Sequence, residues 1–230
     1  KLCGCHRERG RLTRGRFEYR RFAYNFTSNC RFIANYLSKA IRKYKIENNY
    51  GIRMLCVTLT PDRDNVKIHE CDCVLKVFLH FTKKEMESLL SLTSKEDRYE
   101  AYLELYERGY NYAEKQGYNI GQDTLLSLHR EFRENNYKNE WLWKKKLFRE
   151  LDLYVFFQCS FTSVDFTLSI VVYDAKKSMM KLKEVLLRTY PDEICYDKDI
   201  RHLVYSDDKL TISDFLGMST ELCHAALPGT

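Results

Sequence analysis

Residues 151–172 read LDLYVFFQCSFTSVDFTLSIVV, and the reading of this stretch decides the fold. Leu151, Leu153, Val155, Phe157, Cys159 and Phe161 alternate with more polar residues, and Val164, Phe166, Leu168, Ile170 and Val172 repeat the pattern on the return. Alternation with period two places each set on one side of a strand, so the stretch predicts a β-hairpin with one buried face. A short turn at Thr162-Ser163 sets Phe161 opposite Val164, Cys159 opposite Phe166, Phe157 opposite Leu168 and Val155 opposite Ile170, and every pair is apolar. A slip by one residue would turn the whole set to solvent, so the register is expected to be strongly specified.

Working outward, residues 52–60 and 66–81 predict two further strands, joined as a hairpin across Pro61-Asp62-Arg63-Asp64-Asn65. On the second of these, His69, Cys71, Cys73, Leu75, Val77, Leu79 and Phe81 share one face. Cys30, Ile33, Ala34, Leu37, Ile41 and Tyr44 repeat at three and four, which predicts an amphipathic helix over about 28–46 capped by Ser28 or Asn29. Each hairpin leads into a basic segment of helical spacing. Lys83, Lys84, Met86 and Leu89 match Lys176, Lys177, Met179 and Leu182 at a constant offset of 93, which suggests a repeated hairpin-then-helix unit sharing one sheet.

A helical insertion is expected between these units, over about 94–150. Ser94-Lys95-Glu96-Asp97 resembles a capping box, Tyr99, Tyr102, Leu103, Tyr106, Tyr110 and Ala113 follow at helical spacing, and Gly117 is the stop. A second helix is expected over about 123–135 with Leu125, Leu128, His129 and Phe132 on one face, and a third over 139–150 carrying Trp141, Trp143, Leu147 and Phe148. Beyond the second hairpin a helix to about Tyr190, a strand near 202–206 and a short helix from Ser213 complete the chain. The fold class is therefore α/β or α+β, a largely antiparallel sheet of two hairpin-helix units with a helical insertion between them.

The chain of 230 residues is 44% hydrophobic, enough for a continuous core, and no Ser/Gly/Pro-rich stretch separates two blocks. One domain over 1–230 is the expectation. Charge is concentrated at one end. In the arm 1–21, Lys1, Arg7, Arg9, Arg11, Arg14, Arg16, Arg20 and Arg21 face only Glu8 and Glu18, so the arm carries the whole net charge of +6. Such asymmetry suggests an acidic partner. No run of about 18 apolar residues exists and no apolar stretch follows the basic N-terminus, so neither a membrane span nor a signal peptide is expected. Of the nine cysteines, Cys56, Cys71, Cys73 and Cys159 fall in strand-like runs and Cys30 on a helical stripe, which reads as reduced core cysteine in a cytoplasmic protein.

Candidate chemistry is sparse. Cys3-Gly4-Cys5-His6 and His69-Glu70-Cys71-Asp72-Cys73 hold soft ligands, but one residue between paired cysteines is too few for a zinc loop, so no metal or cofactor is expected. Asp174-Ala175-Lys176 and Asp207-Asp208-Lys209 resemble half of a metal-dependent nuclease site, yet Asp152 and Asp165 lie on the face opposite Asp174 in the expected register, and solvated turns explain both triplets. The six histidines (His6, His69, His80, His129, His202 and His224) are scattered, and there is neither a Gly-x-Ser-x-Gly elbow nor a Gly-rich phosphate loop. A binding protein rather than an enzyme follows.

Two surfaces compete for the partner. Tyr99, Tyr102, Tyr106, Tyr110, Trp141 and Trp143 in the insertion are of the types enriched at interface hot spots. Arg11, Arg14, Arg16, Arg20 and Arg21, interleaved with Phe17, Tyr19 and Phe22, could hold a polyanion, although residues 16–26 also alternate in part like a charged edge strand. In its general character, compact, mixed in secondary structure, rich in aromatic and charged residues and without a catalytic set, the chain resembles bacterial toxin-immunity proteins. The resemblance is one of class rather than of motif. It implies a protein that neutralises a cognate toxin by occluding it, here a toxin domain with an acidic surface. The alternative is a non-enzymatic nucleic-acid-binding protein that uses the arm.

Overall fold

The computed structural model describes residues 14–46, 48, 50–69, 73–149, 152–176, 178–191, 202–206, 209–213 and 219–223. The fold is mixed α+β, with four α-helices and ten strands among the described residues. The chain divides into two compact units, Lys1–Thr27 with Lys45–Leu126 and Ser28–Tyr44 with Ser127–Thr230.

Helix α1, Arg14–Ala40, runs through both. Phe22, Phe26, Cys30, Ile33 and Leu37, spaced at three and four, are all buried. The strand-like alternation of 16–26 is therefore misleading, and the expected helix begins much earlier than residue 28. A strand would set Tyr24 on the same face as Phe22 and Phe26, whereas the helix buries the two phenylalanines and leaves Tyr24 70% exposed. In the first unit the Phe22 ring stacks on Phe81 (centroids 5.6 Å apart) and Phe26 meets Tyr102 edge-on. In the second, Phe32 and Tyr36 pack on Phe132.

The first unit holds strands β1 (Met54–Thr60), β2 (Asn65–His69) and β3 (Val74–His80) in the order β1-β3-β2. The expected hairpin is thus corrected: β1 pairs with β3 in parallel, and the antiparallel hairpin is β2–β3. Cys73, at φ +52°, closes that hairpin and interrupts the run read as one long strand. Leu75, Val77 and Leu79 of β3 are buried, in keeping with its central position with a partner on each side.

Helix α2 (Lys83–Ser91) starts at a full capping box, Glu85 N–H donating to Thr82 Oγ1 and Thr82 N–H to Glu85 Oε2. Helix α3 (Lys95–Lys115) is capped by Ser94, and Gly117 follows at φ +87°. Helix α4 (Gln122–Glu134) matches the second expected helix and crosses the unit boundary. Among the described residues no helix is long and apolar enough to cross a membrane.

The second unit carries an antiparallel meander of β4 (Glu140–Phe148), β5 (Leu153–Phe161), β6 (Phe166–Asp174) and β7 (Met180–Thr189), neighbours in chain order. The β5–β6 hairpin has the expected face but not the expected register: Phe161 opposes Phe166, Cys159 opposes Leu168, Phe157 opposes Ile170 and Val155 opposes Val172. The turn takes four residues. Asp165 N–H and Val164 N–H donate to Thr162 Oγ1, which itself donates to Asp165 Oδ1, and Val164 stays 74% exposed. A shift by two residues preserves sidedness, which is why alternation alone does not separate the two registers.

Two helices of the sequence reading are strands here. Of residues 139–150, Glu140–Phe148 form β4 instead of a third helix, because a bulge between Leu142 and Lys144 breaks the period and the run Lys144-Lys145-Lys146 straddles both faces. Beyond Asp174 the described residues turn and enter β7 at Met180, so the expected helix and repeat do not form and the two hairpins lie in separate sheets. A third sheet, antiparallel, joins β8 (His202–Ser206), β9 (Lys209–Ser213) and β10 (Ser219–Cys223). Of the final helix expected from Ser213, Ser213 itself ends β9, 219–223 are strand, and 214–218 and 224–230 lie outside the described residues.

Candidate interaction face

The four-stranded sheet presents two unlike faces. On one, Leu153, Val155, Phe157, Cys159 and Phe161 of β5 and Phe166, Leu168, Ile170 and Val172 of β6 are all buried. The other follows from register. Its first row is Leu147, Tyr154, Tyr173 and Met180; the second is Lys145, Phe156, Val171 and Lys183; the third is Leu142, Gln158, Ser169 and Val185; the fourth is Glu140, Ser160, Thr167 and Arg188.

Chemistry changes along these rows. The rings of Tyr154 and Phe156 stack at 4.8 Å between centroids, and Tyr173 meets Phe156 edge-on at 5.7 Å. All three are half-buried. Around them Leu142, Leu147, Met180 and Val185 are 57%, 41%, 53% and 51% exposed, a grouping on one sheet face rather than a scatter of single residues. The far end is polar: Gln158 Nε2 donates to Glu140 Oε2, and Arg188 pairs with Asp165 at 3.3 Å.

The six aromatic residues expected to form one interface are distributed otherwise. Tyr99, Tyr102 and Tyr110 on α3 are buried, and Tyr106 is half-buried against Tyr110, so this stripe serves the core of the first unit. Helical spacing leads to this outcome as readily as to an exposed stripe. Trp141 and Trp143 belong to the second unit, on β4, with Trp141 6.1 Å from the ring of Phe166 and Trp143 edge-on to Phe157. Of the polyanion set, Arg14, Arg16, Arg20 and Arg21 are residues of α1, Arg21 exposed, while Arg11 lies outside the described residues.

The sequence reading missed Tyr154, Phe156 and Tyr173. The signal was present, because they alternate with the buried residues of a hairpin whose sidedness was already assigned, and polar residues belong at such positions on a solvated sheet face.

Other candidates have structural roles. Asp174 accepts hydrogen bonds from Ser178 N–H at 2.7 Å and from Ser178 Oγ–H, which hold its carboxyl below the ordinary carboxylate range and close the β6–β7 turn. His129 is fully buried. Among the described residues no group of three or more His, Cys, Asp and Glu side chains is placed to hold a metal ion; Cys3, Cys5, His6 and Cys71 lie outside them. Burial pushes the Cys159 thiol up to about 12 against the opposing charge of Lys39, and pushes Cys30 well above its usual value. Neither is poised as a nucleophile.

A polar cluster organises the covered side of this unit. The buried Asn139 donates to Phe32 O at 2.8 Å and Asn35 Oδ1 at 2.9 Å, Lys39 Nζ donates to the same Asn35 oxygen, and the Lys39 ammonium lies over the Trp141 ring. These contacts fix α1 against β4 within the unit. The first unit offers a groove of about 480 Å³ between α2 and α3, lined by apolar Phe81, Leu89 and Leu105, by Asp97, Glu100 and Glu104, and by the Glu85–Arg108 pair. Its electrical character is opposite to that of the sheet face. No family model matches the chain, and neither a curated protein nor a solved structure does.

Proposed function

We propose that this chain is a non-catalytic protein-binding protein of the immunity type, which neutralises a cognate protein by covering part of its surface. The observation that carries this reading is the outer face of the β4–β7 sheet, where Leu142, Leu147, Met180 and Val185 stand exposed around half-buried Tyr154, Phe156 and Tyr173. Exposed apolar groupings with aromatic centres mark interaction surfaces, and occlusion needs a face of this kind rather than a reactive group. The second reading, nucleic-acid binding through the basic N-terminal stretch, is favoured by the continuation of α1 through Arg14, Arg16, Arg20 and Arg21.

One experiment separates them. The tagged chain is used to capture partners from native lysate, with nuclease and high salt, alongside Leu142→Asp/Val185→Asp and Arg14→Glu/Arg21→Glu variants. A stoichiometric protein lost only with the sheet-face variant is the expected result. Recovery of nucleic acid alone, lost in salt and with the arginine variant, supports the second reading, since each phosphate contact contributes a slope of about 0.9 in log affinity against log salt.

A further inference from the structure

We infer that the occupant of this outer sheet face is a different protein that presents carboxylates around an apolar centre, and not a second copy of this chain. The inference rests on the protein-binding reading and adds the chemistry of the partner. Lys145 on β4 and Lys183 on β7 end the same cross-strand row, with Phe156 and Val171 between them. Both are exposed. Three strand spacings set them about 14 Å apart, so a partner must place its anions on opposite sides of whatever meets Phe156.

The neighbouring row, Leu147, Tyr154, Tyr173 and Met180, carries no charge at all. Glu140 is the one carboxylate among the four paired rows of this face, two rows from the lysines and already accepting from Gln158, and Asp165 in the adjoining turn is paired with Arg188. Two copies stacked face to face would gather four ammonium groups around one desolvated patch, each copy's Glu140 standing two rows off and already held by Gln158, and low dielectric strengthens that repulsion. Carboxylates in the same places turn it into attraction and speed encounter. Phosphates would satisfy the lysines too, but the exposed Leu142, Leu147, Met180 and Val185 gain contact area only from apolar side chains.

The test pans a phage-displayed library of short random peptides against the full chain and measures selected peptides on Lys145→Glu/Lys183→Glu, Leu147→Asp and Val185→Asp variants whose thermal melts match the parent. Selected sequences are expected to combine Asp or Glu with Leu, Phe or Trp, and to lose on the order of tenfold or more in affinity both on the lysine reversal and on an aspartate variant. Peptides without acidic bias, lost on the aspartate variants but indifferent to the lysine reversal, overturn the inference and leave the protein-binding reading standing. Absence of any face-dependent peptide overturns both. A concentration-dependent dimer abolished by Leu147→Asp assigns the face to a second copy, and oligo(dT) binding abolished by the lysine reversal assigns it to nucleic acid; either overturns the inference.

Discussion

Glu85 is one carboxylate with three duties: it closes the capping box at Thr82, it pairs with Arg108 at 3.0 Å, and through that pair it ties the start of α2 to α3. Partial burial pushes its carboxyl up, but the hydrogen bonds from Thr82 and Arg108 outweigh this and hold it below its ordinary value. A carboxyl depressed in the folded state contributes stability that is present above its unfolded pKa and lost as pH falls through the folded one. Stability of the parent should therefore decline on acidification through the range just below pH 4.5. Glu85→Gln should be less stable at neutral pH and show a shallower decline there, which denaturant titrations at several pH values would measure; an unchanged slope would refute the assignment. The cap at Ser94 was legible in the sequence, since Ser94 and the spacing after it carry a local signal, whereas the box at Thr82 and Glu85 was not read. Burial of Tyr99, Tyr102 and Tyr110 was not legible, because helical spacing states which residues share a face and leaves open what that face meets.

At the scale of elements, α3 approaches β1 only because Gly109 has no side chain: a Cβ there would lie 2.7 Å from Val57 Cγ2. Alanine is the better helix former by about 1 kcal/mol, which opposes the clash. The β-branched Val57 is stiff at χ1 and cannot swing clear, so Gly109→Ala should be net destabilising by about 1–2 kcal/mol. Adding Val57→Ala should recover part of the loss, a coupling that a double-mutant cycle by urea unfolding reads directly; simple additivity would refute the contact. Elements with one strong period, α3, α4 and the β5–β6 hairpin, were legible in the sequence. Those interrupted by a bulge were not: Trp143 is the extra residue of the β4 irregularity between Leu142 and Lys144, and β7 carries two register shifts against β6. The β1-β3-β2 order was also hidden, because a loop between strands adjacent in sequence does not specify which strand enters the middle.

For the molecule as a whole, the outer sheet face contributes little to stability and much to behaviour at its surface. Leu147→Asp/Val185→Asp alters two exposed positions, so its unfolding free energy should lie within about 1 kcal/mol of the parent, while retention on a hydrophobic-interaction column should fall clearly. A large drop in melting temperature would mean that these side chains serve the fold instead. The division into units has a further consequence, for how the chain is made. Neither unit is a contiguous stretch of sequence: 28–44, early in the chain, belongs with residues that begin at 127. During synthesis this strap leaves the ribosome before the rest of its unit exists, and the contacts of Phe32 with Phe132, Asn35 with Asn139 and Lys39 with Trp141 form only when those later residues follow. The second unit is therefore completed late, and no single cut in the gene would release either unit as an exchangeable cassette.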